Sequence, residues 1–232
     1  MNEHELLENT SIGEIVADDF RAAEIFRKEG IDFCCGGKKS LEQACEEKKI
    51  DSTSIIDQLI DLKNNPSDEA RNFREWDLAF LADYIVNTHH KYVLKTLPEL
   101  TYYTHKIADV HGSNHPELNE VAALFDAINE ELLQHLKKEE ELLFPSVKEV
   151  IRNNSPEAKS IIHSEISRMS GEHESAGGAM DRINSITSGY RVPADGCNSY
   201  QVTFKLLHQF EDDLHVHVHL ENNILYPKAL SL

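Results

Sequence analysis

Cysteine is scarce in this chain: four residues of 232, at positions 34, 35, 45 and 197. That is too few for a disulfide-stapled secreted scaffold and fits a reduced, cytoplasmic compartment. No apolar run approaches the roughly 18 residues that a membrane-spanning helix needs. The opening residues, Met1-Asn2-Glu3-His4-Glu5, carry neither a basic stretch nor an apolar signal core. Positive charge is short as well. Lys and Arg number 23 against 41 Asp and Glu, a net charge of -18, and so acidic a surface repels phosphate backbones and anionic headgroups. Nucleic acid and membrane are therefore poor partners. Runs of alternating β-branched residues are few, so the chain reads as helix almost throughout.

What the chain has in excess is histidine, 13 residues against 10 glycines and 1 tryptophan. Apolar residues make up 40% of the chain, enough for a sizeable core. Ser11-Ile12-Gly13-Glu14 is a capping box opening a helix that should end at Gly30, and Ser40-Leu41-Glu42-Gln43 is a second. A third helix is expected over Ile55 to Leu62, before the linker-like Asn64-Asn65-Pro66-Ser67-Asp68. Residues 1–64 thus read as a small three-helix module. Residues 73–232 read as four long helices, roughly 75–108, 117–151, 156–188 and 197–230, joined by short polar connections. Short connections make sequential helices antiparallel neighbours, so the expected fold is all-α, an up-down-up-down four-helix bundle behind the module.

The second region repeats itself. The segment His135 to Pro145 aligns without gaps on His217 to Pro227, both reading H-x-x-x-E-x-x-[LI]-L-[FY]-P at an offset of 82 residues. Histidine and glutamate four residues apart share one helix face. The face of His135 also carries Ile128, Leu132, Glu139 and Leu142; that of His217 carries Phe210, Leu214, Leu220, Glu221 and Ile224. Each pair is embedded in an apolar stripe, where a carboxylate needs a partner or a metal. His173 lies on a third such stripe, with Ile166, Met169 and Met180. On the first helix, His89 and His90 each share a face with apolar residues, and spacing separates them weakly. His90 stands 83 residues before His173, close to the offset of the repeat. With His90 taken, four imidazoles and two carboxylates converge, a set suited to two iron ions bridged by both carboxylates and leaving open positions. Satisfied core histidines are the plain alternative, and the repetition weighs against it. His215 and His219 lie among polar neighbours and are expected in solvent, with His4, His105, His111, His115, His163 and His208 at the surface or in loops.

Cys34-Cys35-Gly36-Gly37 follows the first helix and precedes Lys38-Lys39. A bridge between adjacent cysteines is strained, and the lysines and the next helix N-terminus should lower the thiol pKa values. Cys45 and Cys197 read as structural or incidental.

Phe26-Arg27-Lys28, then Asp32-Phe33-Cys34-Cys35-Gly36-Gly37-Lys38, then a bundle with two H-x-x-x-E motifs, resembles the bacterial di-iron proteins called repair of iron centres. The resemblance covers nearly the whole chain. It implies a hemerythrin-like bundle holding an oxo-bridged di-iron centre, in a cytoplasmic homodimer that restores iron–sulfur clusters damaged by nitric oxide or peroxide. Carried over by position, the metal ligands would be His90, His135, Glu139, His173, His217 and Glu221, with Glu131 and Glu172 near them. Cys34 and Cys35 would act as a mobile thiol arm toward the damaged iron–sulfur protein. Two rival activities are nitric oxide reduction at the same centre and reversible binding or sensing of dioxygen or nitric oxide.

Overall fold

The computed structural model describes residues 3–65 and 72–232, so Pro66, Ser67 and Asp68 of the expected linker lie outside the described residues. The described chain is helical with no β-strand. It divides into two compact units, Met1–Leu81 with Val216–Leu232, and Ala82–His215. None of the described helices is long and apolar enough to cross a membrane.

In the first unit, five helices precede residue 65: α1 (Glu3–Asn9), α2 (Ile12–Asp18), α3 (Ala22–Lys28), α4 (Leu41–Lys48) and α5 (Ser52–Asn64). Both expected capping boxes are present, Ser11 with Glu14 and Ser40 with Gln43. The single helix expected from residue 12 to Gly30 is instead two. Asp19 leaves the helical region at φ -143°, and its carboxylate accepts the backbone N–H of Arg21 at 3.0 Å. This local hydrogen bond competes with helix continuation. The guanidinium of Arg21 then donates to the carbonyls of Leu62 and Asn65, both at 2.8 Å, closing the open end of α5. Helix α3 ends as expected at Gly30, which takes φ 65°. The free N–H groups at the start of α2 are met by the glycine-rich loop: Ile12 donates to the Lys39 carbonyl at 2.9 Å and Gly13 to that of Gly37 at 2.8 Å.

The second unit is built from α6 (Leu78–Ile85), α7 (Lys91–His111), α8 (Glu117–Lys138), α9 (Phe144–Asn153), α10 (Pro156–Ile186) and α11 (Asn198–His219). Helix α6 begins, and α11 ends, in the first unit; α12 (Tyr226–Leu230) lies wholly in the first unit. Connections of a few residues between long helices give the up-down-up-down arrangement. Buried residues on α8 run Leu118, Val121, Phe125, Ile128, Leu132, His135, and on α10 Ile162, Ile166, Met169, His173, Met180, Ile183. These are three–four spaced seams, and the histidines occupy seam positions.

Three segments widen from α to π geometry, Val86–His90, Glu139–Leu143 and Leu220–Leu225. They join α6 to α7, α8 to α9, and α11 to α12. Such turns gather at functional positions, and each of these carries a candidate ligand. Pro145 and Pro227 follow the second and third. Proline has no N–H, and its ring clashes with the carbonyl four residues back, Glu141 and Asn223, inside the widened turns. One expectation falls here. Leu142, placed on the inward face with His135, is 44% exposed, whereas Leu143 is fully buried. The π turn advances the register by one residue, so a strict 3.6-residue wheel misplaces the face beyond Glu139.

Candidate metal centre

In the second unit, His90, His135, Glu139 and His173 come together in the interior, each at most 2% exposed. His90 Nε2 and His135 Nε2 both stand 3.3 Å from Glu139 Oε2, and His173 Nε2 stands 3.0 Å from His135 Nε2. The outer nitrogens are spoken for. His90 Nδ1 meets Glu140 Oε1 at 2.9 Å, and His135 Nδ1 meets Glu172 Oε2 at 2.8 Å. An imidazole that donates its Nδ1–H to a carboxylate turns an Nε2 lone pair inward. Two such lone pairs then face a buried carboxylate oxygen, acceptor against acceptor. A cation between them turns this repulsion into coordination, and the outer carboxylates are the supports that metal-bound histidines use. The donor set therefore fits a metal of the kind imidazole and carboxylate bind, iron included.

Glu172 also accepts Lys138 Nζ at 2.7 Å. Burial acts to raise its pKa, but Lys138 and His135 outweigh burial and hold it below the usual carboxylate value. Glu131, expected near the site, accepts the Ser175 hydroxyl at 3.0 Å. Glu140 escapes the sequence reading; its only signal there is its place beside Glu139 in an acidic run. His89 differs from His90. Its Nδ1 meets Asp213 Oδ1 at 3.0 Å, a contact of the same kind, but its ring is not among the ligand atoms gathered with Glu139, whereas that of His90 is.

In the first unit, His217 Nε2 lies 3.0 Å from Glu221 Oε1, with both residues essentially unexposed. They belong to the buried histidine and glutamate groups able to hold a metal ion. His219 corrects an expectation. It is fully buried, because Phe20, between α2 and α3, and Phe33, in the loop after α3, pack on its ring at 6.3 and 5.7 Å. Burial pushes its pKa down to about 4, so it is neutral at physiological pH. A helical wheel of the bundle alone cannot show a residue covered from elsewhere in the chain. His215 is half-buried, not fully in solvent.

The Cys34-Cys35 loop is also in the first unit, and it is pinned. Asp32 Oδ1 accepts the N–H groups of Cys34 at 2.9 Å and Cys35 at 3.1 Å, and Oδ2 accepts that of Gly36 at 2.8 Å. Asn223 Nδ2 donates to the carbonyls of Phe33 and Cys34, each at 3.1 Å, and lies 3.1 Å from His219 Nδ1. A loop so held is not the mobile arm expected. Both cysteines are free thiols, their sulfurs 4.0 Å apart. The expected lowering of pKa fails for Cys34. The hydrogen bond with Cys35, burial and the Asp32 charge at its side push it well up. Cys197, expected to be incidental, behaves oppositely. It is exposed, its sulfur lies 3.1 Å from His111 Nε2, and that contact with the N–H groups of Tyr200 and Ser199 brings its pKa down to about 7. A cysteine just ahead of Asn198, the first residue of α11, is the signal that could have been read.

Known proteins match this chain over nearly its full length. Residues 8–63 match the family described as a domain of unknown function, DUF542, and residues 81–229 match the hemerythrin HHE cation binding domain. An iron–sulfur cluster repair protein ScdA of Staphylococcus haemolyticus is 34% identical over 224 residues, covering 96% of this chain and 99% of that one. An iron–sulfur cluster repair protein YtfE of Pectobacterium atrosepticum is 36% identical over 220 residues, covering 95% and 96%. Its counterpart in Yersinia pestis is 33% identical over 222 residues, covering 96% and 97%.

Proposed function

The chain belongs to the hemerythrin HHE family, within the iron–sulfur cluster repair proteins, and from that premise we propose that it repairs iron–sulfur clusters by supplying iron from a di-iron centre. The observation that carries this reading is the pair of inward Nε2 lone pairs on buried Glu139, backed by Glu140 and Glu172. We assign His90, His135, Glu139, His173, His217 and Glu221 as the ligands, the last two through the sequence repeat that sets them where His135 and Glu139 stand. Residues 1–64 would form a module distinct from the bundle of 73–232, in keeping with the separate family matches to 8–63 and 81–229.

Two irons held by these residues would supply iron for delivery and open positions for nitric oxide or dioxygen. The chain's own residues set how firmly iron is held. Glu140 and Glu172 fix the imidazole tautomers and raise ligand basicity, while the apolar seams keep bulk water out. Protonation of the imidazoles loosens the set, since metal binds only neutral histidine. Asp32, Cys34 and Cys35 offer ligand atoms within 4.8 Å of one another, and we assign them as the place where iron rests on its way to the damaged cluster. Because thiolate and not thiol binds metal, iron binding there would displace the Cys34 proton. Action in the cytoplasm as a homodimer completes the reading, and size-exclusion chromatography measures the second point.

Anaerobic purification with elemental analysis tests the centre, and about two irons per chain is the expected result. Reactivation of a nitric oxide-damaged iron–sulfur enzyme, with and without a ferrous chelator, tests delivery. Abolition by the chelator is expected. Zinc alone in the site, or repair indifferent to the chelator and to Cys34→Ser/Cys35→Ser, overturns the reading.

A further inference from the structure

Glu211 is a carboxylate buried where helix packing alone would place an apolar residue. It is 6% exposed, on α11 beside Phe210, whose ring makes an edge contact with Phe125 at 5.5 Å. A buried carboxylate costs several kcal/mol unless partnered, and Asn184 Nδ2 partners its two oxygens at 2.9 and 3.3 Å. Asp181 and His215 stand beside it: Asp181, Glu211 and His215 each offer a ligand atom, all within 4.8 Å of one another. The arrangement follows from helix geometry. Asp181 and Asn184 are three apart on α10, Glu211 and His215 four apart on α11, so each helix presents a pair on one face.

A second observation points into the same place. Tyr190 is 8% exposed, and its hydroxyl, though short of a well-formed hydrogen bond, interacts with Glu211 and Asn184. It lies close enough to Glu211 that, after burial, that carboxylate is the main influence raising its pKa, with Asn184 and Asp181 acting at the same position. An underused hydroxyl, a carboxamide, an imidazole and two carboxylates thus meet at one point in the second unit.

We propose that Asp181, Glu211 and His215 form a second cation site, apart from the histidine–glutamate set, that takes a first-row divalent cation, zinc being the best match. One nitrogen and two oxygen donors suit zinc, whose sites with three protein ligands leave a fourth position for water. Magnesium is disfavoured by the imidazole and by its reluctance to shed water. The Tyr190 hydroxyl and the Asn184 amide would then hydrogen-bond to ligands or to bound water.

The test uses the full chain loaded with iron, dialysed against zinc chloride, cleared of excess, and assayed for both metals. One zinc per chain with iron unchanged is expected. Asp181→Asn, at an exposed position, and Glu211→Gln should each abolish that zinc and leave the iron count as it was. The zinc count does not depend on the iron reading, because in iron-free protein Asp181→Asn should still remove one zinc equivalent. Absence of zinc from the unsubstituted chain overturns the proposal. So does zinc that persists in both variants, or zinc uptake that matches iron loss.

Discussion

Gly13→Ala and Gly37→Ala look alike on paper, yet the structure predicts that Asn223→Ala rescues only the first. A Cβ on Gly13 would overlap Asn223 Oδ1 and stand 2.6 Å from Asn223 Cγ, with the Gly37 carbonyl next at 3.0 Å. A Cβ on Gly37 would meet the same side chain but also the backbone carbonyl of Phe33 at 2.7 Å. Overpacking of this kind costs about 1–3 kcal/mol. Asn223→Ala alone removes the amide that reaches the Phe33 and Cys34 carbonyls and His219, a loss of about 1–3 kcal/mol. In that background the side-chain obstacle to the added methyl of Gly13→Ala is gone, and alanine within α2 gains roughly 1 kcal/mol of helix propensity over glycine. Gly13→Ala should therefore cost much less in the Asn223→Ala background than in the unsubstituted chain, the Gly37 carbonyl at 3.0 Å having to shift only slightly. Asn223→Ala/Gly37→Ala should remain less stable than Asn223→Ala, because a backbone carbonyl cannot swing aside. Urea midpoints of metal-free protein, followed by far-ultraviolet circular dichroism at constant m-value, measure all five variants. Equal cost for Gly13→Ala in both backgrounds would refute the claim that Asn223 fills the space above the loop.

Glu140→Gln and Glu172→Gln should each weaken iron retention about 10–100-fold in competition with a chelator, through loss of support for His90 and His135, while folding is kept; unchanged retention removes these carboxylates from the site. Alkylation of Cys197 should show a pH midpoint near its pKa of about 7. A lowered thiol pKa puts thiolate at lower pH, so His111→Ala should move the midpoint up, and peptide mass spectrometry reads it. Under the same conditions Cys34, buried and with its pKa raised, should stay unlabelled near neutrality. Leu143→Ala should cost about 2–5 kcal/mol in urea denaturation, and Leu142→Ala within about 0.5, since only the first is buried.

What the sequence displayed was whatever depends on neighbours along the chain. The two capping boxes and the glycine that ends α3 are local hydrogen-bonding and backbone requirements, and they stand where they were read. The bundle helices were visible because their apolar spacing repeats over many turns, and His135 and His173 because they interrupt a seam without breaking it. Other features depend on atoms distant in sequence. The split between α2 and α3 is marked only by Asp19 turning onto Arg21, while the guanidinium finds its carbonyls more than 40 residues away. His219 is neutral because Phe20 and Phe33 cover it, and the Cys34 thiol is raised by Cys35, burial and Asp32 rather than lowered by Lys38 and Lys39.

The repeat itself contains more than a candidate ligand pair. Its shared spacing sets a histidine, a glutamate four residues on, and a proline six residues after that, and both copies form a π turn between glutamate and proline. A uniform α-helix would hold the seam on one face through Leu142; the widened turn swings Leu142 out to 44% exposure and brings Leu143 in. The cost of the widened turn is a poorer hydrogen-bond ladder, offset by the proline, which could not have completed an α ladder anyway. The glutamate therefore sits at the one point where the helix changes register. Glu139 at the first residue of its π turn, and Glu221 at the second of its own, occupy backbone that is already departing from α geometry. The motif thus encodes the candidate ligand and, through its proline, the backbone distortion beside it, which is why it carries information that histidine and glutamate alone would not.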